Sequence, residues 1–172
     1  MTQSEAAFES GRTRDSLQPG WVVMKFGGSS VATLLTWRMI AARLKQRLSD
    51  GHRVRVVQSA IRGGSDMLQM ALDAAIADSD GPDAADIRSA HIPLATAFDV
   101  DVDELRGNDL AELRQLLAGV RLIREATPRI AARVLATGEL MATRLSAAWL
   151  DKQGIEVSWQ DARALLCSET SG

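Results

Sequence analysis

The twelve residues from Trp21 to Ala32 read WVVMKFGGSSVA. The stretch opens with a continuous apolar run that carries one lysine near its end, which predicts a β-strand over Trp21–Phe26. The Gly27-Gly28 pair then ends the strand. Beyond the turn, apolar side chains recur at steps of three and four from Leu34 to Leu48, which predicts an amphipathic helix. The fold is therefore expected to begin as strand, glycine turn and helix.

This glycine turn is a candidate phosphate-binding site. Glycines at a strand end let backbone N–H groups approach phosphate oxygens closely, and the next helix points its positive N-terminus at the same place. Lys25 would add a mobile cation beside Gly27, Gly28 and Ser29. The same residues also fit a tight turn with a surface lysine, and spacing alone leaves the two interpretations equally open. The sequence has neither a Gly-x4-Gly-Lys-Ser/Thr loop nor a Gly-x-Gly-x-x-Gly fingerprint after the strand.

A second unit of the same kind follows. The pattern predicts a strand over Arg53–Ser59, a glycine-containing break, and a helix over Ser65–Ala77. Such alternation predicts a parallel sheet with helices packed on its faces. Because ligands bind at the carboxyl ends of parallel strands, we expect Ser59 and Ser65 to face the same cleft as Lys25. Ser65 also fits the simpler role of capping the second helix.

The rest of the chain is predicted to be mostly helical. Thr127-Pro128 is typical of a helix start, with proline at the first helical position. Gly138 is expected to interrupt this helix, so that Thr137-Gly138-Glu139 begins a new one. Strict alternation over Ile155–Trp159 predicts a third strand. The dipole of a helix start explains Glu139 completely, although a carboxylate there could also hold the ammonium group of an amino-acid substrate.

Composition limits the class of protein. The 172 residues are 46% apolar and 24% charged with a net charge of −2, which argues against a nucleic-acid footprint or attachment to an anionic membrane. No apolar run is long enough to cross a bilayer. Cys167 is the only cysteine, which excludes internal disulfides and cysteine-rich metal sites. Residues 1–20 are polar and lack a secretory signal, so we expect a disordered leader and a cytoplasmic protein.

Three segments of the sequence stand out together. Lys25 to Ala32 reads KFGGSSVA, Ser59-Ala60 precedes a glycine and Ser65, and Thr137 to Arg163 reads TGELMATRLSAAWLDKQGIEVSWQDAR. In this order they resemble the motifs of the aspartate kinases of the amino-acid kinase family. That family has Lys-Phe-Gly-Gly-Thr-Ser-Val-Ala, then Ser-Ala before Gly-x-Thr, then a Gly-Glu helix start leading to a strand and Asp-x-Arg. The conjunction is far more specific than any single motif.

The resemblance implies a fold and an activity. The fold is a three-layer α/β/α sandwich around a mainly parallel sheet, with residues 21–166 as the N-terminal portion of the kinase domain and 167–172 as a tail. The activity is transfer of the ATP γ-phosphate, with Mg²⁺, to the side-chain carboxylate of L-aspartate. This reaction is the entry to lysine, threonine and methionine biosynthesis.

The resemblance also implies roles for individual residues. Lys25 would stabilise charge on the transferring phosphate, and the Gly27-Gly28-Ser29 turn would bind the nucleotide phosphates. Ser65 and Glu139 would hold aspartate, Glu139 through the α-amino group, and Ser59 would support that site. No residue is assigned to a metal.

The chain departs from the family's pattern in two respects. Serine replaces threonine at positions 29 and 65, which keeps the hydroxyl, whereas Arg62 is bulkier and more charged than the family usually carries. The adenine pocket, a second Gly-rich segment and a catalytic aspartate lie further downstream in this family. We therefore expect a homo-oligomeric piece of a longer polypeptide, of a kind often fused to another biosynthetic enzyme. Alone it should bind ATP weakly and expose a sheet edge and an apolar face.

Two other functions remain open at this point. A sister enzyme that phosphorylates glutamate, acetylglutamate or carbamate shares the Lys-x-Gly-Gly-Ser core. Phe26, Gly138-Glu139 and Asp161-x-Arg163 favour aspartate. A non-catalytic kinase-like binding module is the alternative from a different class, and the presence of Lys25 and Glu139 argues against it.

Overall fold

The structure is a computed structural model, and it describes residues 20–103 and 108–165. The expected leader, except Gly20, and the expected tail lie outside the described residues. The helices and strands in chain order are β1 (Trp21–Phe26), α1 (Leu34–Ser49), β2 (Arg53–Gln58), α2 (Gly64–Ala77), α3 (Ala84–Phe98), α4 (Asp109–Ile123) and α5 (Pro128–Lys152). Short 3₁₀ helices cover Gly28–Val31 and Ala162–Ala164.

The strands β1 and β2 form a parallel pair. Trp21 lies opposite Arg53, and the register continues to Phe26 opposite Gln58. Parallel neighbours need a crossover connection, and α1 supplies it. Both strands therefore end at the same edge, which confirms the predicted α/β class with a parallel sheet.

The two faces of this sheet have different surroundings. Met24, Phe26, Val54 and Val56 pack against the core that α1, α3 and α5 build on one face. On the other face Trp21 and Val23 are largely exposed, at 62% and 65%. The described residues thus supply one helical layer of the expected sandwich. The opposite face of the sheet is open to solvent and is mixed in character, because Arg53 and Arg55 lie over the ring of Trp21.

An aromatic cluster lies in the core between the sheet and the helices α1, α3 and α5. The rings of Phe98 and Trp149 stack with centroids 5.0 Å apart, and Trp37 meets both edge-on at 6.0 and 6.1 Å. The indole of Trp37 is fully buried and donates a hydrogen bond to the Val31 carbonyl at 3.1 Å. Buried aromatic pairs of this kind stabilise beyond their area alone, by about 0.5–1.5 kcal/mol each. The cluster fixes α1, α3 and α5 relative to the glycine turn.

A second core joins α2, α3, α4 and α5. Its buried members share an aliphatic character: Leu68, Leu72, Ile87, Leu113, Val120, Val134 and Met141. Helix α5 contributes to both cores, since it also carries Trp149 of the aromatic cluster. The long helix α5 is therefore the element that connects the sheet to the remaining helices.

Two sequence expectations about the end of the chain are wrong. Helix α5 runs without a break through Gly138, because nearly all its flanking residues favour helix and one glycine costs only about 1 kcal/mol. Over Ile155–Trp159 the expected alternation is present as burial, with Ile155 buried and Glu156 exposed, but no strand forms. A strand needs a partner edge, and among the described residues only β1 and β2 pair.

Candidate functional site

The glycine turn after β1 adopts the geometry that its sequence predicts. Lys25 is exposed at the end of β1, opposite Val57. Gly27 is extended at φ −84° and ψ 169°, and Gly28 begins the 3₁₀ helix, in which the Ser30 N–H donates to the Gly27 carbonyl at 2.9 Å. A β-carbon built at Gly27 would meet no atom within 4 Å. The turn therefore leaves open space directly beside its backbone.

The loop after β2 is tied to this turn at its start. The Ser59 N–H donates to the Phe26 carbonyl at 3.2 Å, which extends the ladder by one residue beyond the strands. The loop then reverses at Gly63, whose left-handed φ of +78° suits glycine. Gly63 is also the N-cap of α2, and Ser65 is the second helical residue with no capping hydrogen bond. The alternative that Ser65 caps this helix is wrong, and its exposed hydroxyl remains available at the helix N-terminus.

Ala60 joins the three segments that the sequence singled out. A β-carbon at Gly28 would lie 3.0 Å from the Ala60 carbonyl oxygen. A β-carbon at Gly138 would lie 3.0 Å from the Ala60 β-carbon and 3.1 Å from Leu68 Cδ1. Only glycine permits approaches this close at both positions. The turn after β1, the loop after β2 and the middle of α5 thus meet at one corner of the molecule.

Glu139 reaches this corner from inside a helix rather than from a helix start. It is half-buried in the middle of α5, directly after the glycine that touches Ala60. The dipole explanation for Glu139 therefore fails, because the effect falls off within the first turn. Its carbonyl accepts a hydrogen bond from Thr143 Oγ1 at 2.7 Å, while its carboxylate has no hydrogen-bond partner among the described residues. The carboxylate is left for a ligand.

Backbone donors without partners are concentrated at the same corner. Within the described part of the chain, several N–H groups here have no recorded backbone acceptor, among them those of Gly27, Gly28, Ser29, Arg62 and Gly63. Successive free amides beside a helix N-terminus form a concave positive surface for anions. Two cationic side chains, Lys25 and Arg62, belong to the same two loops. The corner can therefore hold a polyanion such as a chain of phosphates.

A protein-built metal centre is not present at this corner. Across residues 20–103 and 108–165, no three histidine, cysteine or acidic side chains converge on one point. This does not conflict with Mg²⁺, since that ion keeps several waters and binds substrate phosphates with only one or two carboxylates.

A partly buried ion pair helps to hold the segment after α5 against the helix. Arg144 Nε donates to Asp109 Oδ2 at 2.8 Å, and its guanidinium lies 3.7 Å from the centre of the Trp159 ring. The Trp159 indole donates to Thr143 Oγ1 at 3.0 Å. Since Thr143 bonds in turn to Glu139, this clamp supports the part of α5 that carries the candidate carboxylate.

The Asp-x-Arg pair lies on this same segment and is satisfied internally. Arg163 donates through Nη2 to Asp161 Oδ2 at 2.7 Å. That hydrogen bond is the main reason why the pKa of Asp161 lies below its ordinary value and the pKa of Arg163 above its own. Asp161 also accepts a hydrogen bond from the Arg163 N–H at 2.9 Å, so the pair stabilises the start of the 3₁₀ helix over Ala162–Ala164.

The sequence did not predict the packing role of Gly138, and it did not single out Gln58. Gly138 acts as a packing contact, and its signal was an isolated glycine inside a helical pattern, which usually has a packing reason. Gln58 ends β2 with its side chain buried, and its Nε2 has no hydrogen-bond partner in the described part of the chain. A polar residue at an inward position of the strand RVRVVQ was the available signal.

With this geometry in place, the comparisons with known proteins define the class. The amino acid kinase family matches residues 20–168, so the chain belongs to that family. An aspartokinase of Schizosaccharomyces pombe is 33% identical over 157 residues, covering 83% of this chain and 30% of that protein. Aspartokinase 3, chloroplastic, of Arabidopsis thaliana is 34% identical over 145 residues, covering 81% of this chain and 25% of its own length.

A solved structure is also similar to the chain. It is E. coli aspartokinase III in complex with aspartate and ADP, with 25% identity and a TM-score of 0.49, and the match covers 85% of this chain and 32% of that one. The chain thus spans about 30% of the length of the first relative and less of the second.

No helix among the described residues is both long and apolar enough to span a membrane.

Proposed function

We propose that the chain is the phosphate-binding and amino-acid-binding part of an aspartate kinase. One observation carries this proposal: Gly28 and Gly138, from two separate motifs, both pack closely against Ala60 of a third motif at the ends of β1 and β2. A structural turn would not need three distant segments at van der Waals contact. An enzyme that aligns a phosphate chain with an acceptor carboxylate does need them, because phosphoryl transfer depends on positioning and charge stabilisation.

The residues divide between two substrates. The amides of Gly27, Gly28 and Ser29 would bind nucleotide phosphate oxygens, and the Lys25 ammonium group would stabilise the charge of the transferring phosphoryl group. On the other side of Ala60, the Ser65 hydroxyl and the Glu139 carboxylate would hold the amino acid, with Glu139 facing its ammonium group.

The remaining residue of this set has a supporting role. Ser59 Oγ lies 3.3 Å from the Ala60 carbonyl, so its hydroxyl steadies the junction between the two substrates.

The reaction is transfer of the γ-phosphoryl group of ATP to the side-chain carboxylate of aspartate, giving aspartyl phosphate and ADP. Mg²⁺ bound with the nucleotide would neutralise phosphate charge. The chain's own part is to fix the two oxyanions close together and to offset their repulsion through Lys25 and the free amides. The proposed context is lysine, threonine and methionine biosynthesis. We further propose that the protein is cytoplasmic and homo-oligomeric, and that this chain is part of a longer polypeptide.

Substrate choice tests the proposal directly. We expect the full-length protein to phosphorylate aspartate at least about a hundredfold more efficiently than glutamate or acetylglutamate, as a pocket that pairs specific polar groups discriminates strongly. Hydroxylamine trapping of the acyl phosphate gives the measurement for each acceptor. Preferential phosphorylation of glutamate or acetylglutamate would assign the chain to a sister enzyme instead.

Two lysine substitutions distinguish a catalytic protein from one that only binds its ligands. We expect Lys25→Ala in the full-length protein to reduce kcat by at least about a hundredfold, the usual size for a lost charge-stabilising group. Lys45→Ala, which removes an exposed lysine from α1, is the matched control and should leave kcat unchanged. Full activity of Lys25→Ala would favour a non-catalytic binding module.

A further inference from the structure

The loop after β2 brings a second cation to the glycine turn. A β-carbon at Gly28 would lie 3.4 Å from the backbone nitrogen of Arg62 and 3.6 Å from its α-carbon. Arg62 itself is exposed, and Gly63 next to it reverses the chain. The base of the arginine side chain is therefore fixed against the turn, while the guanidinium is free to extend over its edge.

Arg62 is available for a ligand. Among the described residues, most other arginines of this chain have an assigned partner, either a carboxylate or the ring of Trp21 or Trp159. Arg62 has no ion-pair partner in that part of the chain. A guanidinium can bind phosphate through two parallel hydrogen bonds, which a lysine cannot do.

We infer that Arg62 is a second cationic residue that binds the nucleotide phosphates beside the glycine turn. This inference rests on the proposed function and adds a residue to it. The position favours phosphate over the amino acid, because the Arg62 backbone contacts the nucleotide turn at Gly28. The amino-acid side of the corner is reached instead through the Ala60 methyl group and Leu68. The free Arg62 N–H would act on the same anion.

Binding of phosphate probes to the full-length protein tests the role of Arg62. The ligands are ATP and inorganic tripolyphosphate, with adenosine as a ligand that lacks phosphate. We expect Arg62→Ala to weaken the binding of ATP and of tripolyphosphate about tenfold. This is the lower end of the range for the loss of a charged hydrogen bond, as suits an exposed site. Adenosine should bind as in the unchanged protein. Arg62→Lys keeps the charge without the bidentate geometry, so its affinity for ATP and tripolyphosphate should lie between those of Arg62→Ala and the unchanged protein.

Arg43→Ala is the matched control, because it removes one exposed arginine from α1 and changes the net charge equally. In kinase assays, Arg62→Ala should raise KM for ATP about tenfold and leave KM for aspartate unchanged. A merely structural role would alter both constants and adenosine binding as well. Equal tripolyphosphate binding by Arg62→Ala and the unchanged protein would overturn the inference. So would a rise in KM for aspartate alone, which would place the guanidinium at the amino acid.

The outcome for Arg62 is separable from that of the proposed function. If the unchanged protein phosphorylates neither aspartate nor glutamate but binds tripolyphosphate through Arg62, the inference stands and the proposed function fails. If it phosphorylates aspartate and Arg62→Ala binds phosphate normally, the proposed function stands and the inference fails.

Discussion

Two adjacent glycines should respond in opposite ways to the same added methyl group. Gly27 has an extended backbone that alanine adopts without strain, and its β-carbon would face open space. Gly28 lies against the Ala60 carbonyl, which cannot move without shifting the loop after β2. We therefore expect Gly27→Ala to keep the fold but occupy the space proposed for phosphate, whereas Gly28→Ala should disturb the fold itself.

The sizes of these two effects follow from the contacts. An unstrained glycine-to-alanine change gains about 0.4–1 kcal/mol because the unfolded chain loses freedom. At about 2–4 °C per kcal/mol for a chain of this length, Gly27→Ala should raise Tm by about 1–4 °C. For Gly28→Ala, a contact of 3.0 Å with a backbone oxygen amounts to overpacking. Overpacking typically costs about 1–3 kcal/mol, so Tm should fall by several degrees at the upper end of that range.

Thermal unfolding and ATP binding, measured on both variants, check this reasoning. We expect Gly27→Ala to be at least as stable as the unchanged protein. It should bind ATP about tenfold more weakly, since the added methyl group would keep a charged phosphate oxygen from one backbone N–H. Gly28→Ala should lose stability and ATP binding together. Gly27→Ala with normal ATP affinity would refute the phosphate-binding role of the turn, and a more stable Gly28→Ala would refute the packing argument.

Three further predictions concern the helices. Burial lowers the pKa of His91, so the folded state favours the neutral imidazole. The free energy of unfolding should therefore fall as pH drops below the unfolded pKa of about 6.5. In denaturant titrations between pH 6.5 and 5 this fall should be steeper for the unchanged protein than for His91→Leu, by up to about 1.4 kcal/mol per pH unit. Gly138→Ala should push α5 away from Ala60 and raise KM for aspartate severalfold, with little change in Tm because the gain in helix propensity of about 1 kcal/mol offsets the strain. Arg144→Ala leaves the Asp109 carboxylate without its ion-pair partner and should lower the free energy of unfolding by about 2–4 kcal/mol. Arg47→Ala removes an exposed ion pair and should lower it by less than about 0.5 kcal/mol.

The first half of the fold was predictable because its signals are local. The apolar run before Gly27, the periodicity of α1 and the glycine break after β2 each act within a few residues. The parallel pairing and the shared edge for Lys25 and Ser59 then follow from topology. The structure agrees with these expectations to within one residue: β2 ends at Gln58 instead of Ser59, α1 ends at Ser49 instead of Leu48, and α2 starts at Gly64 instead of Ser65.

The second half was less predictable because distant contacts decide it. Gly138 resembles a helix breaker in sequence, and only its contact with Ala60, from a loop far earlier in the chain, explains why a glycine is there. The alternation over Ile155–Trp159 correctly indicates which side chains face the core, but strand formation depends on a neighbour that no local pattern contains. The pairing of Arg144 with Asp109, 35 residues apart, has no local signal either.

The Ala60 junction also has a thermodynamic consequence. Its carbonyl lies against Gly28 in the proposed phosphate-binding turn, and its methyl group lies against Gly138, which precedes the proposed amino-acid-binding Glu139. A displacement caused by either proposed ligand would therefore reach the opposite pocket through a single residue. Linkage then requires reciprocity: if nucleotide tightens the hold on amino acid by some factor, amino acid must tighten the hold on nucleotide by the same factor.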